Sequence, residues 1–326
     1  VASAALVVVV AAMVIIDSSS SGSGTSRAQA DSPPTTVVPA EQPVDASLFA
    51  AGSCVSLAPT RGDRHLTVFL DAGHGGIDPG GVGSTESGAT IYEADETLPV
   101  ELDAASVLRA EGFRVVVSRT GNENVTRLTS ADVSGNELSL LGAHDDVAAR
   151  DQCADQAHAQ LLIGIYFDAG ASASNAGSVT GYDDARSFST ANHRFATLLD
   201  RDVVDAMNAK GWQIPDEGVV PDTGLGSLVT GSSGNGLAAA AASYDHLLLL
   251  GPADPGYFTT PSDMPGALIE PLYLTDPFEG SIAASIVGQQ TIAGGIAMAV
   301  EQYFAPRPVS TVPVSTVPTS VSPSTS

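Results

Sequence analysis

Residues 68–80, VFLDAGHGGIDPG, constrain the rest of the chain more than any other stretch. Val68, Phe69 and Leu70 read as a buried strand that stops at Asp71, Gly73 and His74 and enters a glycine-rich turn. In an open α/β sheet, ligands sit in the crevice beyond the carboxyl ends of the strands, so this polar break is the first candidate site. On residue type alone, a lone His in such a turn is more often an ordinary loop residue than a metal ligand.

Strand and helix signals alternate from there. Leu98, Leu102, Ala105 and Leu108 give a helical stripe ending at Gly112, and Phe113 to Val117 form a second β-rich run closed by Arg119. A polar loop over 121–139 is long enough to overhang a groove. A helix over 141–159 leads to a third strand, LLIGIYF, at 161–167. This repeat predicts an α/β fold of three αβα layers: a mainly parallel twisted sheet of about six strands with helices on both faces. Further on, a strand at 177–182 precedes a helix over 188–209 carrying Phe195, Leu199, Val203 and Met207 on one stripe. Residues 212–245 read as loops, 246–250 and 267–269 as short strands, and 281–304 as a last helix with Ile282, Ile286, Ile292, Ile296 and Val300 on its buried side.

Four blocks, in order, carry a family resemblance. DAGHGG ends the first strand; Glu93 opens the next helix, which runs through LPVELDAASVLRAEG into FRVVVSRT; PGALIEPLYLTDP places Glu270 in a PxxLxE block; and a closing helix covers 281–304. Over about 65–304 the chain resembles the zinc-dependent N-acetylmuramoyl-L-alanine amidases, which cut bacterial peptidoglycan. The resemblance implies His74 and Glu93 as zinc ligands and Glu270 as the catalytic carboxylate, at the end of a strand beside the first one. It departs from the pattern once: where the family ends its third strand in S-I-H-x-N, this chain has Gly164, Ile165, Tyr166, Phe167 and Asp168, so Tyr166 stands at the third ligand position.

Metal-assisted amide hydrolysis needs about three protein ligands, an open position for water and a carboxylate to take its proton. His74 offers a neutral imidazole and Glu93 a charge. As an alternative to a function for Glu93, the acidic neighbours Glu86, Asp95 and Glu96 fit a solvated loop. Glu270, directly after Ala267, Leu268 and Ile269, requires a partner or a metal to offset its burial. For the third ligand two candidates stay open. Tyr166 is a phenol that must lose its proton to bind, with an ordinary pKa of about 10. Asp168 is a carboxylate on the same side of the strand if the strand extends that far. His65, His144, His158 and His193 lie away from the motif blocks, and His246, beginning a strand of its own, also stays open. A rival reading is a metal-poor wall-binding module on the same fold, with Tyr166, Tyr182 and Tyr273 as stacking surfaces. No GxSxG elbow supports a serine hydrolase.

The ends differ in character from the middle. Residues 1–17 begin with sixteen apolar or small residues, the length of a signal-peptide core or signal-anchor. Residues 18–48 read as a flexible linker, 49–305 as the amidase-like domain and 306–326 as a Pro/Ser/Thr-rich disordered tail. The expectation is a monomer, exported and extracellular or cell-wall associated, touching membrane only through its N-terminal segment. A net charge of −24, from 37 acidic against 13 basic residues, argues against a nucleic-acid partner. Cys54 and Cys153 are the only cysteines and could pair after export, or remain one free and one buried thiol.

Overall fold

A computed structural model describes residues 47–225 and 236–306; the apolar N-terminus, most of the expected linker and all but the first residue of the expected tail lie outside the described residues. In chain order the elements are β1 (Ser53–Leu57), β2 (Thr67–Ala72), the hairpin β3 (Val82–Ser84) and β4 (Thr90–Tyr92), α1 (Glu93–Ala110), and β5 (Arg114–Arg119). A small hairpin, β6 (Val133–Ser134) and β7 (Glu137–Leu138), precedes α2 (Leu140–Gln156) and β8 (Leu161–Ile165). Then follow β9 (Ser178–Tyr182), α3 (Ser189–Asn208), β10 (Asp216–Pro221), α4 (Leu237–Ser243), β11 (Gly266–Glu270), α5 (Pro277–Ala283) and α6 (Ile286–Phe304).

Seven strands form one twisted sheet in the order β1-β5-β2-β8-β11-β9-β10, one more than expected. The central strands β5, β2, β8 and β11 run parallel, and β1 pairs antiparallel with β5 at one edge. At the other edge β9 runs antiparallel to β11 and β10 parallel to β9. β8 therefore separates β2 from β11, so the strand bearing Glu270 is not beside the first one, as the motif order suggests, but one strand removed.

Along β2, successive side chains go to opposite faces: Val68 and Leu70 enter a core with Val100, Leu108, Phe195 and Ile296, whereas Phe69 enters one with Cys153, Leu162, Leu247 and Phe258. Helices α1, α3 and α6 cover the first face, and α2, α4 and the stretch 247–258 the second. Strands buried on both faces read as unbroken apolar runs, which is why these central strands were legible in sequence.

Three elements differ from expectation. The buried face of α1 is Thr97, Val100, Glu101, Ala104, Ala105 and Leu108, while Leu102 is 36% exposed. Two polar residues on the inner face misdirect a hydropathy stripe. Residues 246–250 form turns, not a strand; the four leucines fill the second core from outside the sheet, and a short apolar run has no period to tell these cases apart. The closing helix is two helices bent by 75°. Ser285 caps α6 by accepting from the Gly288 amide, and the restart turns Ile286 outward, leaving it 71% exposed. A disulfide joins Cys54 on β1 to Cys153 on α2, tying the sheet edge to the second helical layer.

Candidate active site

The site is built where β2 ends. Leaving Ala72, the backbone turns through positive φ at His74 (56°), Gly75 and Gly76, a conformation unfavourable for a residue with a Cβ. Two buried arginines hold it. Arg150 donates to the carbonyls of Ala72 (2.8 Å) and His74 (2.9 Å) while pairing with Asp71 (2.5 Å) and Asp146 (3.0 Å). Arg119 donates to the carbonyls of Ala72, Gly73 and Ala94 and to the Thr97 hydroxyl. On the polar inner face of α1, Thr97 donates to the Gly73 carbonyl (2.8 Å) and Glu101 accepts from the Ala72 and Ser118 amides. The polar residues that broke the hydropathy stripe thus hold the β2 turn.

With the turn fixed, His74 Nε2 lies 3.1 Å from Glu93 Oε2, and its Nδ1 lies 2.8 Å from Asp78 Oδ2. Glu93, the first residue of α1, is held in turn by the amides of Phe167 (3.0 Å, to Oε1) and Gly81 (2.8 Å, to Oε2). Gly80 must lack a side chain, because a Cβ there would lie 2.4 Å from the His74 ring and 2.6 Å from Glu93 Oε2. Burial disfavours the charged imidazole, but the carboxylates of Glu93 and Asp78 on either side outweigh it and hold the His74 pKa well above the usual value.

Glu270 ends β11, and Asp168 follows β8. Burial, then the charges of Asp168 and Glu93, push Glu270 well above the carboxylate range, with His74 pulling the other way. Burial raises Asp168 to about 6; a hydrogen bond from Tyr273 opposes this, and Glu93 and Glu217 add to it. Asp168 is buried and its Oδ2 has no hydrogen-bond partner. Glu217 comes from β10, 3.3 Å from the Tyr273 hydroxyl. Glu270 is therefore coupled to three carboxyl groups, Asp168, Glu93 and Glu217, and to the His74 imidazole. Beside them, continuing from Gly81 and Ala169, runs a groove of about 300 Å³ between Val82–Ser84 and 170–173.

Of the sequence-predicted residues, His74, Glu93, Asp168 and Glu270 share this mutual electrostatic field. Tyr166 lies against it differently. Its ring packs edge-on to His74 (centroids 5.6 Å) and against Gly73, where a Cβ would lie 2.4 Å away, but its hydroxyl donates to Asp71 Oδ2 at 3.0 Å. Burial and Asp71 raise its pKa well above 10, keeping the phenol protonated. β8 stops at Ile165, so the alternation that would align Tyr166 with Asp168 does not reach them. The rings of Tyr166 and Tyr273, 7% and 1% exposed, offer no stacking surface, and Tyr182 packs on His193.

Two of the donors, His74 and Glu93, are spaced as a metal's ligands would be. Two donors with bonds of about 2.1 Å in a tetrahedral shell are separated by about 3.4 Å, close to the 3.1 Å between Nε2 and Oε2. Asp78 on Nδ1 sets the tautomer that leaves Nε2 as donor, and Asp168 Oδ2 is an unpaired buried oxygen. Among the described residues, however, the one group of three whose ligand atoms all lie within 4.8 Å of one another is Asp183, Asp222 and His246. These groups could coordinate a metal, but Asp183 and Asp222 lie at the other end of the strands from Glu270, because β9 and β10 run against β11. His246 is thus remote from His74.

Asp78 and Glu217 were not found from the sequence. An Asp four residues after a candidate ligand His, within the same turn, is a usable signal for the first; nothing local marks the second.

The family model described as N-acetylmuramoyl-L-alanine amidase, Amidase_3, matches residues 68–302. No curated relative matches. Among solved structures, the CwlD amidase from Clostridioides difficile in complex with the GerS lipoprotein is similar at 18% identity and TM-score 0.52, over 73% of this chain and 98% of that one. An N-acetylmuramoyl-L-alanine amidase from Clostridium difficile 630 is similar at 23% identity and TM-score 0.49, over 73% and 96%. At 18% identity the CwlD structure speaks to the fold alone.

Proposed function

Because the chain belongs to the N-acetylmuramoyl-L-alanine amidase family, we propose that it hydrolyses the amide between N-acetylmuramic acid and L-alanine in peptidoglycan, using zinc held by His74, Glu93 and Asp168. The observation that carries this reading is the 3.1 Å approach of His74 Nε2 to the buried Glu93 carboxylate, with the buried Glu270 and an Asp168 oxygen that has no hydrogen-bond partner in electrostatic contact with Glu93. Buried like charges without compensation are costly, and a divalent cation offsets them. Bound there, the cation supplies Lewis acidity, polarising the scissile carbonyl and lowering the pKa of water.

The chain's own groups do the rest. Asp78 keeps the proton on Nδ1, and the Phe167 and Gly81 amides fix the Glu93 carboxylate. Glu270 accepts a proton from the attacking water and delivers it to the L-alanine nitrogen as the C–N bond breaks. A carboxyl whose affinity for protons is raised by burial and then by the charges of Asp168 and Glu93 suits that return. The groove along 170–173 would take the stem peptide.

In this reading Tyr166 is not a ligand. It donates to Asp71 and packs on His74, positioning the first ligand through the turn. We further propose a monomeric domain over 49–305 that acts at the cell wall after export, which limited proteolysis would test by leaving a core of that size. The ligand assignment is tested by Asp168→Ala: zinc content of the purified protein should fall together with peptide release from muramoyl-peptide fragments. Unchanged zinc content would remove Asp168 from the set.

A further inference from the structure

Asp183 and Asp222 directly follow the last residues of β9 and β10, neighbouring parallel strands, so their side chains emerge together at one sheet edge. Both are fully buried. Asp183 Oδ1 accepts from the Ala185 and Arg186 amides, and Asp222 accepts from Thr223 (Oδ1, 3.0 Å) and Leu247 (Oδ2, 3.0 Å). Asp183 Oδ2, which accepts from no backbone amide, and Asp222 Oδ1 both face His246, whose Nδ1 is 2.9 Å from the first and 3.2 Å from the second.

Hydrogen bonding does not satisfy this arrangement. Nδ1 carries at most one proton, and it is aligned with Asp222; Asp183 Oδ2, despite its proximity, is left buried with no hydrogen-bond partner. Among the described residues, His246 is the basic side chain within ion-pair distance of these carboxylates. The neighbouring Arg186 guanidinium donates from Nη1 and Nη2 to the carbonyls of Leu250, Gly251 and Ser262. Two carboxylates and one imidazole leave the group at −1 even with His246 protonated, and burying unbalanced charge is costly. A single cation can be shared by three ligand atoms where a single proton cannot.

We propose that Asp183, Asp222 and His246 form a second divalent-cation site, at the end of the strands opposite His74 and Glu93, that clamps residues 244–250 onto the sheet. One imidazole nitrogen with two carboxylates suits a first-row dication such as Zn²⁺ or Mn²⁺, rather than Ca²⁺, which takes six to eight oxygens. The clamped stretch contributes Leu247, Leu248, Leu249 and Leu250 to the second core, so the cation's role is to hold a core-forming turn that has no strand pairing of its own.

The test uses the full chain carrying His74→Ala, which removes the catalytic-site imidazole, so that any site seen is independent of the proposed reaction. After chelator treatment, binding of Mn²⁺ and of Zn²⁺ is measured by equilibrium dialysis, alongside the melting temperature. One equivalent should bind, and at a hundredfold excess over Kd the melting temperature should rise by roughly 5–10 °C. Adding Asp222→Asn should weaken binding by on the order of tenfold or more, since even indirect partners of a ligand contribute that much. His246→Gln in the same background serves if that variant does not fold. A chelated His74→Ala protein that takes up neither ion and shows no melting shift would overturn the proposal and leave a closed imidazole–carboxylate cluster. Binding that survives both substitutions would overturn it equally, by placing the ion elsewhere.

Discussion

Removing a single oxygen from Tyr166 separates the two roles open to it. In Tyr166→Phe the ring keeps its packing on Gly73 and His74, but Asp71 Oδ2 loses its 3.0 Å donor. Asp71 is fully buried, and its other oxygen is already engaged by Arg150. A hydrogen bond to a charged group is worth about 1.5–3 kcal/mol, and the abandoned oxygen has no route to solvent. A loss of about 2 kcal/mol is expected, or roughly 4–8 °C in melting temperature for a domain of this size. Zinc content should stay the same, because the hydroxyl points at Asp71 and not at the His74–Glu93 pair. Denaturant unfolding followed by Trp212 fluorescence, with metal content measured on the same samples, reads both quantities. Zinc lost at unchanged stability would refute the reasoning and return Tyr166 to the ligand set.

Glu101 gives a pH signature. Burial first, moderated by Arg119, raises its folded pKa to about 8, so the folded state holds this proton more tightly than the unfolded one. That stability is fully present below the unfolded pKa of about 4.3 and is lost as pH rises toward the folded value, a cost of up to about 5 kcal/mol above pH 8. Glu101→Gln should therefore gain on the unmodified protein between pH 5 and 9 in urea midpoints; a constant difference across that range would contradict the assignment. Reducing the Cys54–Cys153 disulfide, which spans 99 residues, should cost about 2–4 kcal/mol in the same assay, and an unchanged midpoint would contradict it.

What the sequence disclosed was whatever is local. His74 in its glycine turn, Glu93 opening a helix and Glu270 closing a strand each sit in a short block, and the apolar runs of β2, β5 and β8 mark a sheet buried on both faces. What it hid depends on long-range geometry. The direction of the Tyr166 hydroxyl is set by Asp71 and Arg150, 95 and 16 residues away in sequence. Glu217 reaches the site only because β10 lies two strands from β11 in the finished sheet. Asp183, Asp222 and His246 share no spacing that a motif could record, since adjacent strand ends bring the first two together and an irregular turn supplies the third. The inner face of α1 was misread for a related reason: Thr97 and Glu101 face inward to bind backbone, not to fill volume.

The roles assigned to His74 and Glu270 make opposite demands on two variants. A ligand contributes to metal affinity, whereas a proton-transferring carboxylate acts where the proton moves. His74→Ala and Glu270→Gln should be compared with the unmodified chain for zinc at the site and for stem-peptide release from muramoyl-L-alanine fragments. The expected result is that His74→Ala loses one equivalent of zinc and the activity together, while Glu270→Gln keeps its zinc and loses peptide release by on the order of a hundredfold or more. An unmodified protein that binds peptidoglycan yet releases no peptide, with zinc content unaffected by His74→Ala, would contradict the assignment and leave a wall-binding module on an amidase fold.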